Sequence, residues 1–149
     1  MLAGSAVLGG AGLASTAATQ ETGAMTAPGT RKRDIRKSLK YGMIGDGTTV
    51  LEKFQSAKAA GFEGVEIDSP SDLDLEEVKA AMAETGLVVP GVVDSVHWQQ
   101  CLSDPDPAVR AKGLAALEGA LRDAKAVGAS TVLLVPGVVN NNVSYGEVW

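Results

Sequence analysis

A chain of 149 residues is long enough for one domain with a sizeable buried core. Hydrophobic residues make up 45% of it and charged residues 21%, which is the composition of a folded protein and excludes a disordered chain. The net charge of -5 argues against a general nucleic-acid-binding surface, because neutralising phosphates requires clustered Lys and Arg. The single cysteine, Cys101, excludes an intrachain disulfide.

The first twenty residues carry no charged side chain. They are apolar and end in small residues such as Ser15-Thr16-Ala17, a pattern typical of a secretory signal, although the basic region that should precede it is missing. A signal predicts an exported or periplasmic protein; the alternative, a flexible Ala/Gly-rich tail, predicts a cytoplasmic one. The stretch is too short and too weakly apolar to predict a membrane span. Residues 21–34 are predicted to be a linker.

From residue 35 onward, short apolar runs alternate with helical patterns. Strands are predicted at Leu39–Ile44, Gly64–Asp68, Leu87–Val93 and Thr131–Val135. Between these runs, apolar residues recur every three or four positions, as they do on one face of a helix. In the longest helical stretch this spacing predicts a buried stripe made of Leu114, Leu117, Leu121 and Ala124.

Capping residues and glycines predict where the helices begin and end. The predicted starts are Thr49 with Glu52, Asp74 with Glu77, Asp104-Pro105 or Asp106-Pro107, and Ser144 with Glu147. The predicted ends are Gly61, Gly86 and Gly128, since a left-handed glycine closes many helices.

The order of these elements predicts an α/β fold. Strand, helix and strand alternate with connections long enough for right-handed crossovers, so the sheet should be parallel. Four βα units are half of a (β/α)8 TIM barrel, which takes ~250 residues. We therefore expect residues 35–149 to form the N-terminal half of a TIM barrel. A complete doubly wound domain is the alternative, but the sequence stops inside a newly capped helix, so we expect a truncated barrel.

Ligands of parallel α/β folds bind at the carboxyl ends of the strands. The polar and aromatic residues predicted there are Asp46, Glu66, Asp68, Asp94, His97, Trp98, Asn140, Asn141 and Asn142. Carboxylates and amides bond hydroxyl groups, and an aromatic face covers a carbon skeleton, so this mixture predicts a polyhydroxylated small molecule.

We select Glu66, His97 and Trp98 as candidate substrate-binding residues. Each has a structural alternative: Glu66 could cap a strand end or pair with a lysine, His97 could be a hydrogen-bonded loop residue, and Trp98 could pack in the core. The sequence contains a single histidine, which cannot form a metal site alone, so no metal ligand is predicted.

Four segments carry a family resemblance: GFEGVEID, DSVHW, CLSDPDPAVRAKGLAALEGALRDAKAVGAS and TVLLVPGVV. From residue 37 onward, the chain resembles the sugar phosphate isomerase/epimerase family of xylose-isomerase-like barrels, which includes hexulose-6-phosphate isomerases. The resemblance implies that a divalent metal (Mn, Mg, Co or Zn) grips adjacent sugar oxygens while paired carboxylates move a proton between neighbouring carbons through an enediolate. It also makes Glu66 and His97 candidate substrate-side residues.

The resemblance covers only the first half of the family's barrel. Its metal ligands and acid/base glutamates come from strands five to eight, so we expect this chain alone to bind no catalytic metal and to turn over no sugar. The expected partner is a sugar or sugar phosphate, with no nucleic acid, and free strand edges predict self-association. The alternatives are a non-catalytic, degenerate half-barrel that binds sugars and a zinc-dependent endonuclease-like barrel acting on abasic DNA. The acidic balance and the single histidine disfavour the endonuclease.

Overall fold

The computed structural model describes residues 35–141 and 143–148. The predicted signal-like segment and linker, residues 1–34, lie outside the described residues. The elements are β1 (Ser38–Lys40), a short 3-10 helix (Tyr41–Met43), α1 (Val50–Ala59), β2 (Gly64–Ser69), α2 (Leu75–Thr85), β3 (Gly91–Asp94), α3 (Pro107–Val127), β4 (Thr131–Leu133) and α4 (Tyr145–Val148). No described helix is long and apolar enough to cross a membrane.

All four strands lie side by side in the order β1-β2-β3-β4, and each neighbouring pair is parallel. From β2 to β4, each pair of consecutive strands is connected through a helix, as parallel pairing requires. The predicted α/β fold with four parallel βα units is therefore confirmed. In this part of the chain, β1 and β4 are the edge strands.

The first strand is shorter than predicted. The apolar run Leu39–Ile44 was expected to be extended throughout, but β1 ends at Lys40 and the chain turns into the 3-10 helix. Ile44, at the end of the run, is only 7% exposed. The apolar run predicted the burial of Ile44 but not the exposure of Met43, which is 75% exposed. It also predicted the wrong backbone conformation, because an apolar run alone does not select a strand over a tight helical turn.

The third strand begins later than predicted. The run Leu87–Val93 contains Pro90, which has no N–H to donate to a strand ladder. Before this proline the chain makes only an isolated parallel bridge, from Val88 to Gly64. Regular pairing starts after it, at Gly91.

The hydrophobic core lies between the sheet and the helices. Side chains alternate across a strand, and one face of β2 and β3 is completely covered. The residues that this interface buries to 0–1% exposure include Phe54, Val65, Ile67, Val78, Ala81, Val92 and Ala120. The opposite face, which we call the inner face, carries Lys40, Glu66, Asp68, Val93 and Leu133, as cross-strand register and alternation require.

Helix α3 buries only part of the predicted stripe: Ala124 is 5% exposed, as predicted. Leu114 and Leu121 are 51% and 53% exposed, so their predicted burial is wrong. The buried positions are Gly113, Ala120, Ala124 and Val127. The predicted and the observed stripe share Ala124 and both have helical spacing, so periodicity alone could not choose between them. The stripe of small residues is buried because it lets the helix approach the sheet and loops closely.

Helix α1 begins with the predicted capping box. The Thr49 hydroxyl accepts a hydrogen bond from Glu52 N (3.2 Å), and the Glu52 carboxylate accepts from the N–H groups of Thr48 (2.8 Å) and Thr49 (3.1 Å). These bonds, led by the one from the Thr48 backbone, lower the pKa of Glu52 to about 2. Glycines with positive φ close three helices as predicted: Gly61 at φ 81°, directly after the last residues of α1, Gly86 at φ 71° and Gly128 at φ 75°.

We expect Glu52→Gln to destabilise the protein at neutral pH and to lose this effect in acid. Because the carboxyl pKa is lower in the folded state than its ordinary value of 4.5, its stabilisation is present above pH 4.5 and is lost as the pH falls through about 2. Urea denaturation across this pH range measures the difference in free energy of unfolding between the variant and the parent protein. Thr49→Ala, which removes the other half of the box, should cost about 1 kcal/mol.

Glu84→Gln, an exposed change on α2, is the control for charge removal alone. If the difference in free energy of unfolding between Glu52→Gln and the parent stayed constant from neutral pH to about pH 2, this would contradict the assignment of the Glu52 carboxylate to the cap.

Candidate functional site

The loop after β3 is fastened to the turn after β2. Ser95 N donates to the Ser69 carbonyl (2.9 Å), and the Ser95 hydroxyl donates to the Pro70 carbonyl (2.6 Å). Both bonds lie at the carboxyl edge of the sheet, where Ser69 and Asp94 are register partners. They fix the start of the segment that carries His97 and Trp98.

His97 is buried beside the exposed ring of Trp98. Its side chain is 2% exposed, and the two rings meet edge to face, with centroids 5.1 Å apart and planes at 71°. Its Nδ1 atom is buried and has no hydrogen-bond partner among the described residues. A buried polar atom without a partner is costly, which favours a ligand or a further polar group reaching this nitrogen.

Asp94 is a second buried polar residue at this edge, and the selection made from the sequence missed it. It is 1% exposed; its Oδ1 accepts from Val96 N (3.2 Å), while its Oδ2 has no partner among the described residues. Alternation places Asp94 on the same side of β3 as the core residue Val92. A carboxylate closing the apolar run GVVD was the signal in the sequence.

Glu66 lies on the inner face and is half-buried. The Ser38 hydroxyl donates to its Oε1 over 3.5 Å, which is at the long limit for a hydrogen bond. The nearby cation does not pair with it in the structure: Lys40 Nζ lies 2.9 Å from Asp68 Oδ1, an ion pair rather than a well-directed hydrogen bond. Glu66 also lines a cavity of about 370 Å³ along the inner face, with Val93 and Leu133.

Trp98 is 60% exposed, so it does not pack in the core. It lines a cavity of about 210 Å³ between the loops that follow β3 and β4, with Gln99, Ser103, Asp104 and Asn140. His97 and Trp98 follow β3 at the carboxyl edge, whereas Glu66 is the third residue of β2 and lies three residues before that strand ends at Ser69. The three selected residues do not share one cavity. Glu66 faces the inner-face cavity, Trp98 faces the loop cavity, and His97 is buried next to Trp98.

A divalent metal does not fit the side chains in this part of the chain. Among the described residues, no group of three or more His, Cys, Asp or Glu side chains is arranged to hold one. The inner face offers the carboxylates of Glu66 and Asp68, and the second is already paired with Lys40. Of the asparagines expected at the edge, Asn140 and Asn141 are exposed, and Asn142 lies outside the described residues.

Four parallel βα units in a continuous sheet define part of a TIM barrel. A family model described as "Xylose isomerase-like TIM barrel" matches residues 54–149. The chain belongs to this family, and the resemblance stated from the sequence is confirmed at that level.

Two kinds of sugar epimerase are similar to this chain. L-ribulose-5-phosphate 3-epimerase UlaE of Escherichia coli O1:K1 / APEC is 37% identical over 93 residues, which covers 55% of this chain and 33% of the relative. The crystal structure of the 3-keto-D-glucoside 4-epimerase YcjR from E. coli matches with a TM-score of 0.60 and 30% identity, covering 68% of this chain and 38% of that one. The chain therefore spans about a third of the length of the curated relatives it matches.

A third match concerns the fold alone. The crystal structure of an AP endonuclease, family 2, from Brucella melitensis matches with a TM-score of 0.56 and 20% identity, over 71% of this chain and 42% of that one. At this identity the match supports the partial barrel and does not bear on which reaction this chain serves.

Proposed function

We propose that this chain supplies a sugar-binding part of an isomerase or epimerase barrel. The observation that carries the proposal is the carboxyl edge of β3, where Asp94 and His97 each bury a polar atom that has no partner among the described residues. Two relatives are by name epimerases, one of a sugar phosphate and one of a keto-glucoside. Epimerisation beside a carbonyl proceeds by removal and return of a proton through an enediolate.

In this proposal the described residues bind and orient the sugar. His97 Nδ1 exchanges a hydrogen bond with a sugar hydroxyl, which gives the buried nitrogen the partner it lacks. Glu66, in the separate inner-face cavity, accepts a hydroxyl of a sugar that occupies that cavity. Neither residue is assigned the proton transfer itself, because Glu66 is the one carboxylate among the described residues that line the inner-face cavity.

A divalent metal would polarise the sugar carbonyl and stabilise the charge that develops during proton transfer. Since the donor set in this part of the chain does not fit one, the proposed chemistry requires ligands beyond the described residues. No step is assigned to a metal held by Glu66 or Asp68.

The proposal has two further parts, export and self-association. Export to the periplasm depends on the apolar segment 1–20, which lies outside the described residues. Self-association depends on β1 and β4, the edge strands of the sheet, because an unpaired strand edge offers a template for another chain.

We expect the purified chain to bind sugars without turning them over. Because His97 is the single histidine, its imidazole gives one isolated set of NMR signals, and sugar binding should shift these signals saturably. L-ribulose 5-phosphate and a 3-keto-glucoside are the probes, and product analysis of the same samples measures turnover. Metal analysis of the purified chain should find less than one equivalent.

Glu66→Gln should weaken the binding several-fold, whereas Glu63→Gln, an exposed change one residue before β2, should not. A His97 signal that stays unmoved by every sugar would overturn the sugar-binding proposal. Stoichiometric manganese, zinc or magnesium together with turnover would overturn the expectation that the ligands lie elsewhere.

A further inference from the structure

The cavity beside Trp98 has walls that the backbone fixes. Ser103 N, in the loop after β3, donates to the Pro136 carbonyl in the loop after β4 (3.0 Å). A Cβ added to Gly137 would lie 2.2 Å from the Ser103 hydroxyl oxygen, so the two loops approach more closely than a side chain at residue 137 would allow. These contacts hold the loops after β3 and β4 together, so they define the cavity that lies between them.

One wall of this cavity is an exposed aromatic ring held in a defined plane. Trp98 is 60% exposed, and its edge-to-face contact with the buried His97 restricts its orientation. An exposed indole face is a large apolar surface left in water. At about 210 Å³, the cavity is smaller than the ~300–1,000 Å³ pockets of drug-sized ligands. It has room for one small ring.

The charges around the cavity disfavour an anionic ligand. The charged side chain that lines it is a carboxylate, Asp104, and neither Lys nor Arg is among its described lining residues. Arg110 lies close by, but its Nη1 donates to the carbonyls of Asp104 (2.7 Å) and Pro105 (2.9 Å). A phosphate needs charge-assisted donors, and the lining supplies none.

The N-terminus of α3 does not change this balance. Free N–H groups at a helix start can bind phosphate, but here the Asp106 carboxylate accepts from Ala108 N (2.8 Å). Asp104 Oδ1 in turn accepts from Asp106 N (2.8 Å). The donors nearest the cavity are thus already paired with carboxylates, which would also repel a phosphate.

We propose that this cavity is a subsite for an uncharged, hydroxyl-rich sugar ring that stacks its C–H face on Trp98. Gln99 and Asp104 at the rim offer amide and carboxylate groups for its hydroxyls. The inference rests on the proposed sugar-binding function and adds a specificity to it. The subsite takes a neutral ring, and the phosphate of a phosphorylated sugar lies outside it.

The test follows two reporters separately, the fluorescence of Trp98 and the NMR signals of His97. Trp98 and Trp149 are its two tryptophans, so in a Trp149→Phe background the indole fluorescence comes from Trp98 alone. The neutral probes are L-ribulose and methyl β-D-glucopyranoside, and the charged probes are L-ribulose 5-phosphate and glucose 6-phosphate. Neutral sugars should change the Trp98 fluorescence saturably and bind at least as tightly as their phosphates.

Trp98→Ala should weaken neutral-sugar binding at least tenfold when the His97 NMR signal is followed, and Trp98→Phe should weaken it less. Val139→Ala, a change at a residue of the β4 loop that is 54% exposed, is the control and should bind as the parent does. If His97 responds while Trp98→Ala keeps full affinity, the subsite is wrong and the proposed function stands. Tighter binding of the phosphates at Trp98 overturns the charge argument, and silence of both reporters overturns both proposals.

Discussion

Phe54→Ala should lower the free energy of unfolding by about 3–5 kcal/mol. Phe54 is 0% exposed and is the largest fully buried side chain of the described residues. It belongs to the hydrophobic core, whose other buried members are aliphatic residues. Since aromatic residues make up only 4% of the chain, such a core has little capacity to fill the cavity that the substitution leaves.

Leu51→Ala is the matched control, because Leu51 lies on the same helix and is 39% exposed. It should cost less than about 1 kcal/mol. Whole domains are stable by only ~5–15 kcal/mol, so the loss in Phe54→Ala is a large share of the total. Phe54→Leu keeps most of the side-chain volume, should remain folded, and should lie between the other two variants in stability. Urea denaturation of the three variants measures the order. Equal unfolding midpoints for Phe54→Ala and Leu51→Ala would show that the core does not depend on this ring.

Features set by near neighbours in the chain were predictable from the sequence. The Thr49–Glu52 capping box depends on residues three positions apart, and the left-handed closure at Gly86 and Gly128 depends on one residue type. The parallel order of the strands followed from the alternation of elements, because each crossover must have the same hand. None of these predictions required knowing which residues far apart in the sequence are in contact.

Features that depend on distant contacts were not predictable in the same way. On α3, the choice between the stripe containing Leu114 and Leu121 and the stripe of small residues beside it depends on how closely the helix packs. The pairing of Lys40 with Asp68 rather than Glu66 depends on the geometry between two strands that are far apart in sequence. Neither choice has a local signature.

The candidate site shows the same division. Period-two alternation was enough to place Glu66 on the inner face, and the end of β3 was enough to place His97 and Trp98 beyond the carboxyl edge, but Glu66 lies inside β2 and not at its end. Their distribution between two cavities depends on how the β3 and β4 loops pack together, which the sequence pattern did not show. Asp94 was not selected because a carboxylate at the end of an apolar run gives no indication of whether its oxygens find partners.

The close packing of α3 leads to the second large effect, expected for Gly113→Ala. A Cβ at this position would lie 2.2 Å from the carbonyl oxygen of Gln100, so the helix or the β3 loop must move. Such overpacking typically costs ~1–3 kcal/mol. Because Gln100 follows His97 and Trp98 in the same loop, the displacement should also shift the His97 NMR signals and the Trp98 fluorescence without any ligand.

Gly119→Ala on the same helix separates this steric effect from helix propensity. A Cβ there meets nothing within 4 Å, so this substitution should stabilise the protein by about 0.5–1 kcal/mol and leave both reporters unchanged. Thermal and urea denaturation of the pair give the stability difference, and the two spectra give the loop displacement. If Gly113→Ala proved as stable as Gly119→Ala and left His97 unmoved, the position of the site loop would not depend on its contact with α3. A destabilised Gly113→Ala with shifted reporters would show that one backbone contact sets both the packing of α3 and the geometry of the sugar-binding edge.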